Sequence, residues 1–185
     1  KKFEDYWIPS EDNALNQLKI FINDKIENYS EARNFPNVIG TSKLSPFIKH
    51  GQLHVETIWE ECIKVKKKGV NKFLAEIGWR EFNHSLINHF PHMLKGNYSK
   101  KFDKFPWRKN IKFLSAWKRG LTGYPIVDAG MRELYLTGWM HNRVRMIVGS
   151  FLVKHLLINW LEGEKHFRNC LLDFNEANNV SGWQW

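Results

Sequence analysis

Cysteine is scarce in this sequence of 185 residues, since only Cys62 and Cys170 are present. Two cysteines build neither a disulfide framework nor a cysteine metal cluster. Both thiols lie in apolar stretches with helical spacing, so we expect them to be buried and to reside in a reducing, cytoplasmic compartment. Long apolar runs are also lacking, because the most apolar stretch, residues 146–161, contains Lys154 and His155. We therefore expect no membrane partner.

The sequence also lacks the short motifs of several common enzyme folds. It contains no G-x-S-x-G, no P-loop and no G-x-G-x-x-G, which argues against the familiar hydrolase and nucleotide-binding folds. His89 and His92 form an H-x-x-H pair, but no third ligand lies near them in the sequence. We therefore expect surface histidines and no metal site.

The spacing of apolar residues predicts helices throughout. No alternation of apolar and polar residues and no Asn-Gly or Asp-Gly hairpin turn appears. Ser10 is expected to cap the first helix. Apolar residues expected on one face of that helix are Leu15, Leu18, Phe21, Ile22 and Ile26. The fold class is predicted to be all-α, and the length suits one domain.

Proline, glycine and the same spacing set the remaining predicted boundaries. Pro46 suits the first turn of a short helix that ends near Gly51, and Pro91 closes a long helix that includes Phe73. Further helices are predicted at 55–63, 113–117, 126–136, 140–161 and 164–172. Loops are predicted at 29–45, 96–112 and 173–182.

Charge and aromatic content leave two interpretations open. Lys and Arg number 28 against 19 Asp and Glu, a net charge of +9, and there are nine Trp. Such a balance suits a polyanionic partner, nucleic acid first, but lysine is also an ordinary solvating residue. The basic, aromatic segment 96–112 and the run 64–68 are candidates for phosphate contact, and a solvated helix end explains the latter run equally well.

Two stretches concentrate polar residues. In Gly40-Thr41-Ser42-Lys43-Leu44-Ser45-Pro46, hydroxyls and backbone amides lead into a helix, which suits an anion site or an ordinary Ser/Pro helix start. The second stretch covers residues 117–185. It includes Trp117-x-x-Gly-x-Thr-Gly-x-Pro125, then His141-Asn-Arg-Val-Arg-Met146, and finally Gly182-Trp-Gln-Trp185. Charged residues beside so apolar a helix need partners, and Asp128 and Asp173 are available.

These blocks resemble the photolyase and cryptochrome family, and most closely its class I cyclobutane pyrimidine dimer photolyases. The similarity continues upstream through Trp107 and Phe73-Leu-Ala-Glu-Ile-Gly-Trp-Arg-Glu-Phe82 to Tyr29, and so covers nearly the whole chain. It implies a helical domain that binds FAD and a DNA lesion. Residues at positions that match FAD contacts are Tyr29, Thr41, Ser42, Lys43, Leu44, Ser45, Arg80, Asn142, Arg145, Asp173, Asn175 and Asn179. Asn175 stands where many relatives have Asp.

The resemblance also implies a lesion pocket and an electron relay. Positions matching the pocket are Glu76, Trp79, Asn142, Met146 and Trp185, with Arg33 and Arg143 as phosphate contacts. Asn179 matches the residue that faces flavin N5, where its uncharged amide favours repair over signalling. Positions matching the electron relay to the flavin are Trp183, Trp160 and Trp107. Catalytic roles are therefore expected for Glu76, Asn179, Trp183, Trp160 and Trp107.

The implied activity is light-driven repair of cyclobutane pyrimidine dimers by electron transfer from reduced FAD, with ultraviolet-damaged DNA as partner and the protein a monomer. A cryptochrome-like photoreceptor without repair activity is the alternative, and a non-catalytic helical DNA-binding module is a third hypothesis. Family members carry an N-terminal α/β domain that holds a folate or deazaflavin antenna, and we expect these 185 residues to contain no counterpart of it. Their helical domain also continues beyond the position of Trp185. We therefore expect the isolated chain to bind FAD poorly.

Overall fold

The computed structural model describes residues 3–185, except for the side chain of Glu4. Within this range it contains helices and no strand. The all-α prediction is confirmed. No helix within the described range is long and apolar enough to cross a membrane. The chain divides into two compact units, the first ending at Phe82 and the second covering Asn83–Trp185.

The first unit is built from helices of four to ten residues and the start of a longer one. These are α1 (Glu11–Ile20), α2 (Tyr29–Ala32), α3 (Ser45–Lys49), α4 (Val55–Ile63) and α5 (Val70–His89), whose last turns belong to the second unit. A π-helical turn, Phe21–Lys25, extends α1, and a 3₁₀ turn, Ile26–Asn28, leads into α2. Ser10 caps α1 as predicted, because its Oγ accepts a hydrogen bond from the Asn13 amide at 3.1 Å.

The core of the first unit follows the predicted helix faces with two corrections. Leu18 and Phe21 are buried as expected, but Leu15 is 37% exposed, so its assignment to the buried face of α1 was wrong. Tyr29 was predicted to open a loop, yet it begins α2 and packs its ring edge-on against Phe21 and Phe73. Burying the ring stabilises this short helix, which its sequence alone does not.

The second unit contains α6 (Ile111–Arg119), α7 (Pro125–Thr137), α8 (Asn142–Ser150), α9 (Trp160–Cys170) and α10 (Glu176–Gln184). Short 3₁₀ turns lie at Pro91–Leu94 and Lys100–Phe102, and the predicted loop at 96–112 is otherwise irregular until α6 begins. Gly138, in the left-handed conformation, ends α7 as the sequence suggested. Of the two cysteines, Cys62 is fully buried and Cys170 is half-buried.

Two boundaries in the second unit differ from the prediction. The helix expected at 140–161 is broken, because α8 closes in a π-helical turn, Phe151–His155, and Leu157 adopts a positive φ of 55°. Asn159 then caps a new helix, α9, by accepting a hydrogen bond from the Leu161 amide. The loop expected at 173–182 is largely α10, whose N-cap is Asn175. The first error came from apolar spacing that continues through Asn159, and the second from polar sequence in which Asn175 acts as a helix cap.

The core of the second unit surrounds Trp117, which is completely buried and donates its indole N–H to the Val148 carbonyl at 2.9 Å. Around it pack buried residues of α7, α8 and α9, among them Met131, Leu134 and Leu152. A smaller cluster in the same unit contains Met93, Trp160 and Val180, with Trp107 and Trp183 packed against it. Aromatic side chains therefore reach from the main core to the irregular segment 96–112.

Candidate functional site

In the first unit, the turn Thr41–Ser45 connects to α3 with an unusual backbone. Lys43 has a positive φ of 53°, the side chain of Ser42 lies 3.4 Å from the Leu44 amide, and the Ser42 carbonyl accepts a hydrogen bond from Gln17. Leu44 is buried and anchors the turn. Thr41 and Ser42 are half-buried, so the turn groups hydroxyl-bearing residues in one short segment. Hydroxyl groups of this kind suit the phosphates of a nucleotide.

Tyr29 and Arg33, one turn apart, lie close to the carboxylate of Glu76. Arg33 forms an ion pair with Glu76 and places its guanidinium 5.6 Å from the centre of the Tyr29 ring, and Lys72 Nζ approaches Glu76 at 3.2 Å. Burial raises the pKa of Tyr29 to about 12, although Arg33 acts in the opposite direction. Glu76 is therefore held by two cations, and Arg33, predicted to contact DNA phosphate, instead binds Glu76 in this structure.

Trp79 and Arg80 follow Glu76 on α5. The Trp79 ring is 45% exposed and packs edge-on against Phe82 at 5.4 Å between ring centres. Arg80 pairs with its neighbour Glu81 and lines a cavity of about 650 Å³ together with residues of α3 and α4. An exposed indole face beside a carboxylate suits a stacked base whose edge hydrogen-bonds to the acid.

In the second unit, Arg145 and Asp173 form a buried ion pair. Arg145 Nη2 donates to both Asp173 oxygens, at 2.8 and 3.1 Å, and its Nε donates to the Met140 carbonyl at 2.8 Å. The Asp173 side chain is 4% exposed. Removing such a carboxylate from water is costly unless a cation accompanies it, so each residue of the pair depends on the other. Asp173, one of the two acids expected to pair with charged residues of this segment, thus pairs with Arg145.

Asn179 is held between an acid and an indole. Its Nδ2 donates to Glu164 Oε1 at 3.3 Å, and its Oδ1 accepts a hydrogen bond from Trp183 Nε1 at 3.2 Å. Glu164 is buried and also accepts from Arg168 at 2.8 Å. Because a carboxylate only accepts, it orients the amide of Asn179 with its oxygen towards Trp183. Trp183 and Asn179 both lie on α10, one turn apart, where the sequence suggested a loop over 173–182.

The three relay tryptophans lie in one hydrophobic cluster. Trp160 is 4% exposed, while Trp107 and Trp183 pack against the same cluster and are half-buried. Trp107 lies in the irregular segment before α6, as predicted, and Trp160 begins α9. Trp160 Nε1 donates to Asn97 Oδ1 at 2.9 Å. The structure thus brings together the three indoles that the sequence separates by up to 76 positions, counted from 107 to 183.

The remaining lesion-pocket candidates of the second unit are accessible to solvent. Met146 is 53% exposed, Trp185 is 83% exposed and Asn142 is also exposed. Arg143, half-buried, directs its Nη1 to the Met146 sulfur at 3.4 Å. Asn175, a predicted flavin contact, caps α10 through the Asn178 amide at 3.0 Å and contacts His84 at 3.0 Å. Its local role is therefore that of a helix cap.

Sequence reasoning missed Glu164, Gly163 and Asn97. Glu164 could have been suspected, because an acid followed four positions later by Arg168 forms a helical ion pair. No sequence signal marked Gly163 or Asn97, whose importance depends on which indole lies beside each of them. In the basic run 64–68, Lys67 donates to the carbonyls of Ile22 and Asn23, which supports the helix-end interpretation for that residue.

No group of three His, Cys, Asp or Glu side chains in the part of the chain that the structure describes is arranged to hold a metal ion. The polar groups suit a flavin nucleotide instead. In the first unit, the turn at Thr41–Ser45 offers hydroxyls for phosphates. In the second unit, the Asn179 amide can both donate and accept, and Arg145 with Asp173 offers paired charges for the edge of a polar ring. The residues present therefore fit FAD.

Comparisons with known proteins agree with this chemistry. A family model described as the FAD-binding domain of DNA photolyase matches residues 73–185, more than half of the chain. The deoxyribodipyrimidine photo-lyase of Agrobacterium fabrum is 47% identical over 189 residues, covering all of this chain and 40% of that protein. The corresponding enzyme of Escherichia coli is 41% identical, covering all of this chain and 41% of that protein.

Solved structures give the same result. A class III photolyase from Agrobacterium tumefaciens matches with a TM-score of 0.95 and 46% identity, over all of this chain and 39% of that one. A cryptochrome from Synechocystis matches with a TM-score of 0.90 and 32% identity, over 96% of this chain and 38% of that one. The chain thus spans about two fifths of the length of the relatives it matches. On fold, site chemistry and sequence together, it belongs to the family of FAD-binding domains of DNA photolyase.

Proposed function

We propose that the protein containing this chain repairs cyclobutane pyrimidine dimers in DNA under light, with FAD as its cofactor and ultraviolet-damaged DNA as its partner. The observation that carries the proposal is the arrangement around Asn179, where an uncharged amide is fixed between Glu164 and the first indole of a tryptophan cluster. When bound, the reduced isoalloxazine ring of FAD supplies the light-driven electron that splits the dimer. A neutral amide beside that ring tolerates its negative charge, whereas a carboxylate would repel it.

The protein's own residues are assigned distinct roles in this proposal. Arg145 and Asp173 orient the isoalloxazine ring, and the turn at Thr41–Ser45 binds the phosphates. Glu76 accepts a hydrogen bond from a base edge, and the exposed Trp79 ring stacks on a base. A dimer reaches such groups only after it is flipped out of the helix. In the second unit, exposed Met146 and Trp185 are assigned apolar contacts with the lesion.

The ion pair between Arg33 and Glu76 suggests how the charge of Glu76 is balanced before DNA binds. Two cations, Arg33 and Lys72, compensate the charge of Glu76 in the absence of DNA. We expect Arg33 to exchange this partner for a DNA phosphate, which leaves Glu76 free to meet the base edge. Arg143 and the exposed lysines of segment 96–112 add sequence-independent phosphate contacts, so DNA affinity is expected to fall as salt concentration rises.

The test uses the FAD-loaded protein, chemically reduced, with an oligonucleotide that contains one thymine dimer. Repair is followed by the return of thymine absorbance during illumination. Glu76→Gln and Trp79→Ala should each lower the repair yield, while Phe113→Ala, which removes an aromatic ring of similar exposure on α6, should leave it unchanged. Equal repair by all four proteins would refute the site assignment, and no repair by the unmutated protein would refute the function.

A photoreceptor without repair activity is the second candidate, because a cryptochrome is among the similar solved structures. The two functions differ in whether illumination splits the dimer. A photoreceptor would bind FAD and respond to light, yet leave the dimer intact with every variant above. Retention of the dimer together with a normal flavin spectrum would therefore favour this candidate over repair.

A further inference from the structure

The middle tryptophan of the cluster begins a chain of hydrogen bonds that leads to a surface carboxylate. Trp160 Nε1 donates to Asn97 Oδ1 at 2.9 Å, and Asn97 Nδ2 donates to Asp103 Oδ1 at 2.9 Å. Trp160 is buried, Asn97 is half-buried and Asp103 is exposed. The chain of contacts therefore runs from the protein interior to solvent within the second unit.

Asp103 determines which way the Asn97 amide points. A carboxylate only accepts hydrogen bonds, so the NH₂ group of Asn97 must face Asp103 and its carbonyl oxygen must face the indole. With the amide reversed, two acceptors would meet at Asp103 and two donors would meet at Trp160. Asp103 therefore determines that Trp160 contacts the oxygen of Asn97 and not its NH₂ group, although Asp103 itself does not contact the indole.

The electrostatic surroundings of Trp160 otherwise disfavour a positive charge. Asp103 is the single acidic residue in segment 96–112, which contains six Lys and Arg residues: Lys100, Lys101, Lys104, Arg108, Lys109 and Lys112. Trp160 is also the first residue of α9, where the helix dipole has its positive end. The amide oxygen of Asn97, polarised by Asp103, offsets these unfavourable terms directly at the indole nitrogen.

An indole that has lost an electron becomes a strong acid at its N–H group, so the nature of the acceptor decides what happens next. An amide oxygen is a very weak base, and it stabilises the positive charge by hydrogen bonding without taking the proton. A carboxylate in the same place would take the proton and leave a neutral radical, which cannot pass its charge onward as readily. Asn97 therefore suits an indole through which charge must pass.

We propose that Asn97 and Asp103 are positioning residues for electron transfer, which stabilise the radical cation of Trp160 and keep its proton in place. The inference rests on the proposed function together with the relay that the resemblance implies, in which Trp183 would supply one electron to bound, oxidised FAD after light absorption. Trp160 then reduces Trp183 and Trp107 reduces Trp160, so that one electron has moved inward and the positive charge ends on Trp107. A thiol added to the solution returns an electron to Trp107. The Asn97–Asp103 pair makes the movement of the positive charge from Trp183 to Trp160 more favourable.

The test is flash photolysis of the FAD-loaded protein with the cofactor oxidised, in which the indole radical cation and the deprotonated indole radical are distinguished by their absorption. Asp103→Asn keeps an acceptor for Asn97 but removes the charge. We expect it to shift the positive charge from Trp160 towards Trp183 by roughly three- to tenfold, the size expected when a hydrogen bond to a charged acceptor becomes one to a neutral acceptor. Asn97→Leu should lower the yield of separated charge further. Asn97→Asp should instead convert the radical cation into the neutral radical.

The control for charge alone is Glu60→Gln, which neutralises an exposed carboxylate on α4 and should leave the radical kinetics unchanged. Repair by chemically reduced protein bypasses the relay, so it should be equal in all these variants. Unchanged radical yields in Asp103→Asn and Asn97→Leu, or no deprotonation in Asn97→Asp, would overturn the inference even if repair is normal. Altered radicals in a protein that repairs nothing would support the inference and refute the proposed function instead.

Discussion

The indole ring of Trp183 occupies the space that a side chain at Gly163 would need. A Cβ built on Gly163 would lie 2.2 Å from Trp183 Cη2 and 2.7 Å from Leu152 Cδ2. Real side chains do not approach so closely, so the absence of a side chain on α9 allows α10 to place this ring in the core. The position of the indole that contacts Asn179 therefore depends on a glycine in another helix.

Gly163→Ala is accordingly expected to displace Trp183 and to lower the free energy of unfolding by about 1–3 kcal/mol, as overpacking does. Urea unfolding measures the loss, and tryptophan fluorescence reports the change around the ring. Gly182→Ala is the matched control on α10, since a Cβ there meets nothing within 4 Å. It should stabilise the protein by about 0.5–1 kcal/mol, because alanine restricts the unfolded chain. Equal stability of the two variants would contradict the packing argument.

The ion pair between Arg145 and Asp173 leads to a second prediction. Arg145→Met leaves the nearly buried carboxylate of Asp173 without its cation, so the free energy of unfolding should fall by roughly 3–5 kcal/mol. Lys64→Met breaks the exposed pair with Glu61 and serves as the control, with little or no expected loss because solvent screens this pair. Both values come from denaturant titration. A loss in Arg145→Met as small as that of the control would show that Asp173 is solvated.

The raised pKa of Tyr29 predicts that the protein loses stability at alkaline pH. The pKa of Tyr29 rises from 10.0 in the unfolded chain to about 12 in the folded protein. The stability that depends on the neutral phenol is therefore fully present below pH 10 and is lost as the pH rises towards 12. A shift of this size corresponds to about 2–3 kcal/mol. Tyr29→Phe, which cannot ionise, should lose less stability than the unmutated protein over this range. Urea unfolding at each pH measures the difference, and parallel curves for both proteins would disprove the assignment.

Asn179→Asp should make stability fall as the pH rises above the ordinary carboxyl range. The new carboxyl would lie beside Glu164, which accepts a hydrogen bond from Nδ2 at 3.3 Å, and two such acids cannot both ionise freely. The folded-state pKa of the pair is thereby raised, so the variant should be most stable below the ordinary carboxyl range and lose stability as the pH rises. Asn179→Ser is the uncharged control. If Asn179→Asp and Asn179→Ser show the same pH profile, Glu164 does not control this site.

Local sequence rules accounted for much of the secondary structure. The Ser10 cap and the proline in the first turn of α3 each depend on neighbours a few residues away, and both are present as predicted. The boundary of α9 was missed because apolar spacing predicted one continuous helix over 140–161. The boundary of α10 was missed because the polar sequence at 173–182 suggested a loop. In the structure, Asn159 and Asn175 satisfy helix N-termini, a role that depends on where the following residues are buried.

By itself the sequence determined the helical class, through the spacing of apolar residues, and the family, through its motifs around His141 and Trp183. It also supplied the chemically active residues: the amide of Asn179, the charges of Arg145 and Asp173, and the indoles. Only the tertiary structure decided what each group contacts, because those contacts join residues far apart in the chain. Only after the helices have packed does Asn97 accept a hydrogen bond from Trp160, and only then does the Trp183 ring fill the space beside Gly163. Packing, and not local propensity, therefore determines the electrostatic environment in which these groups react.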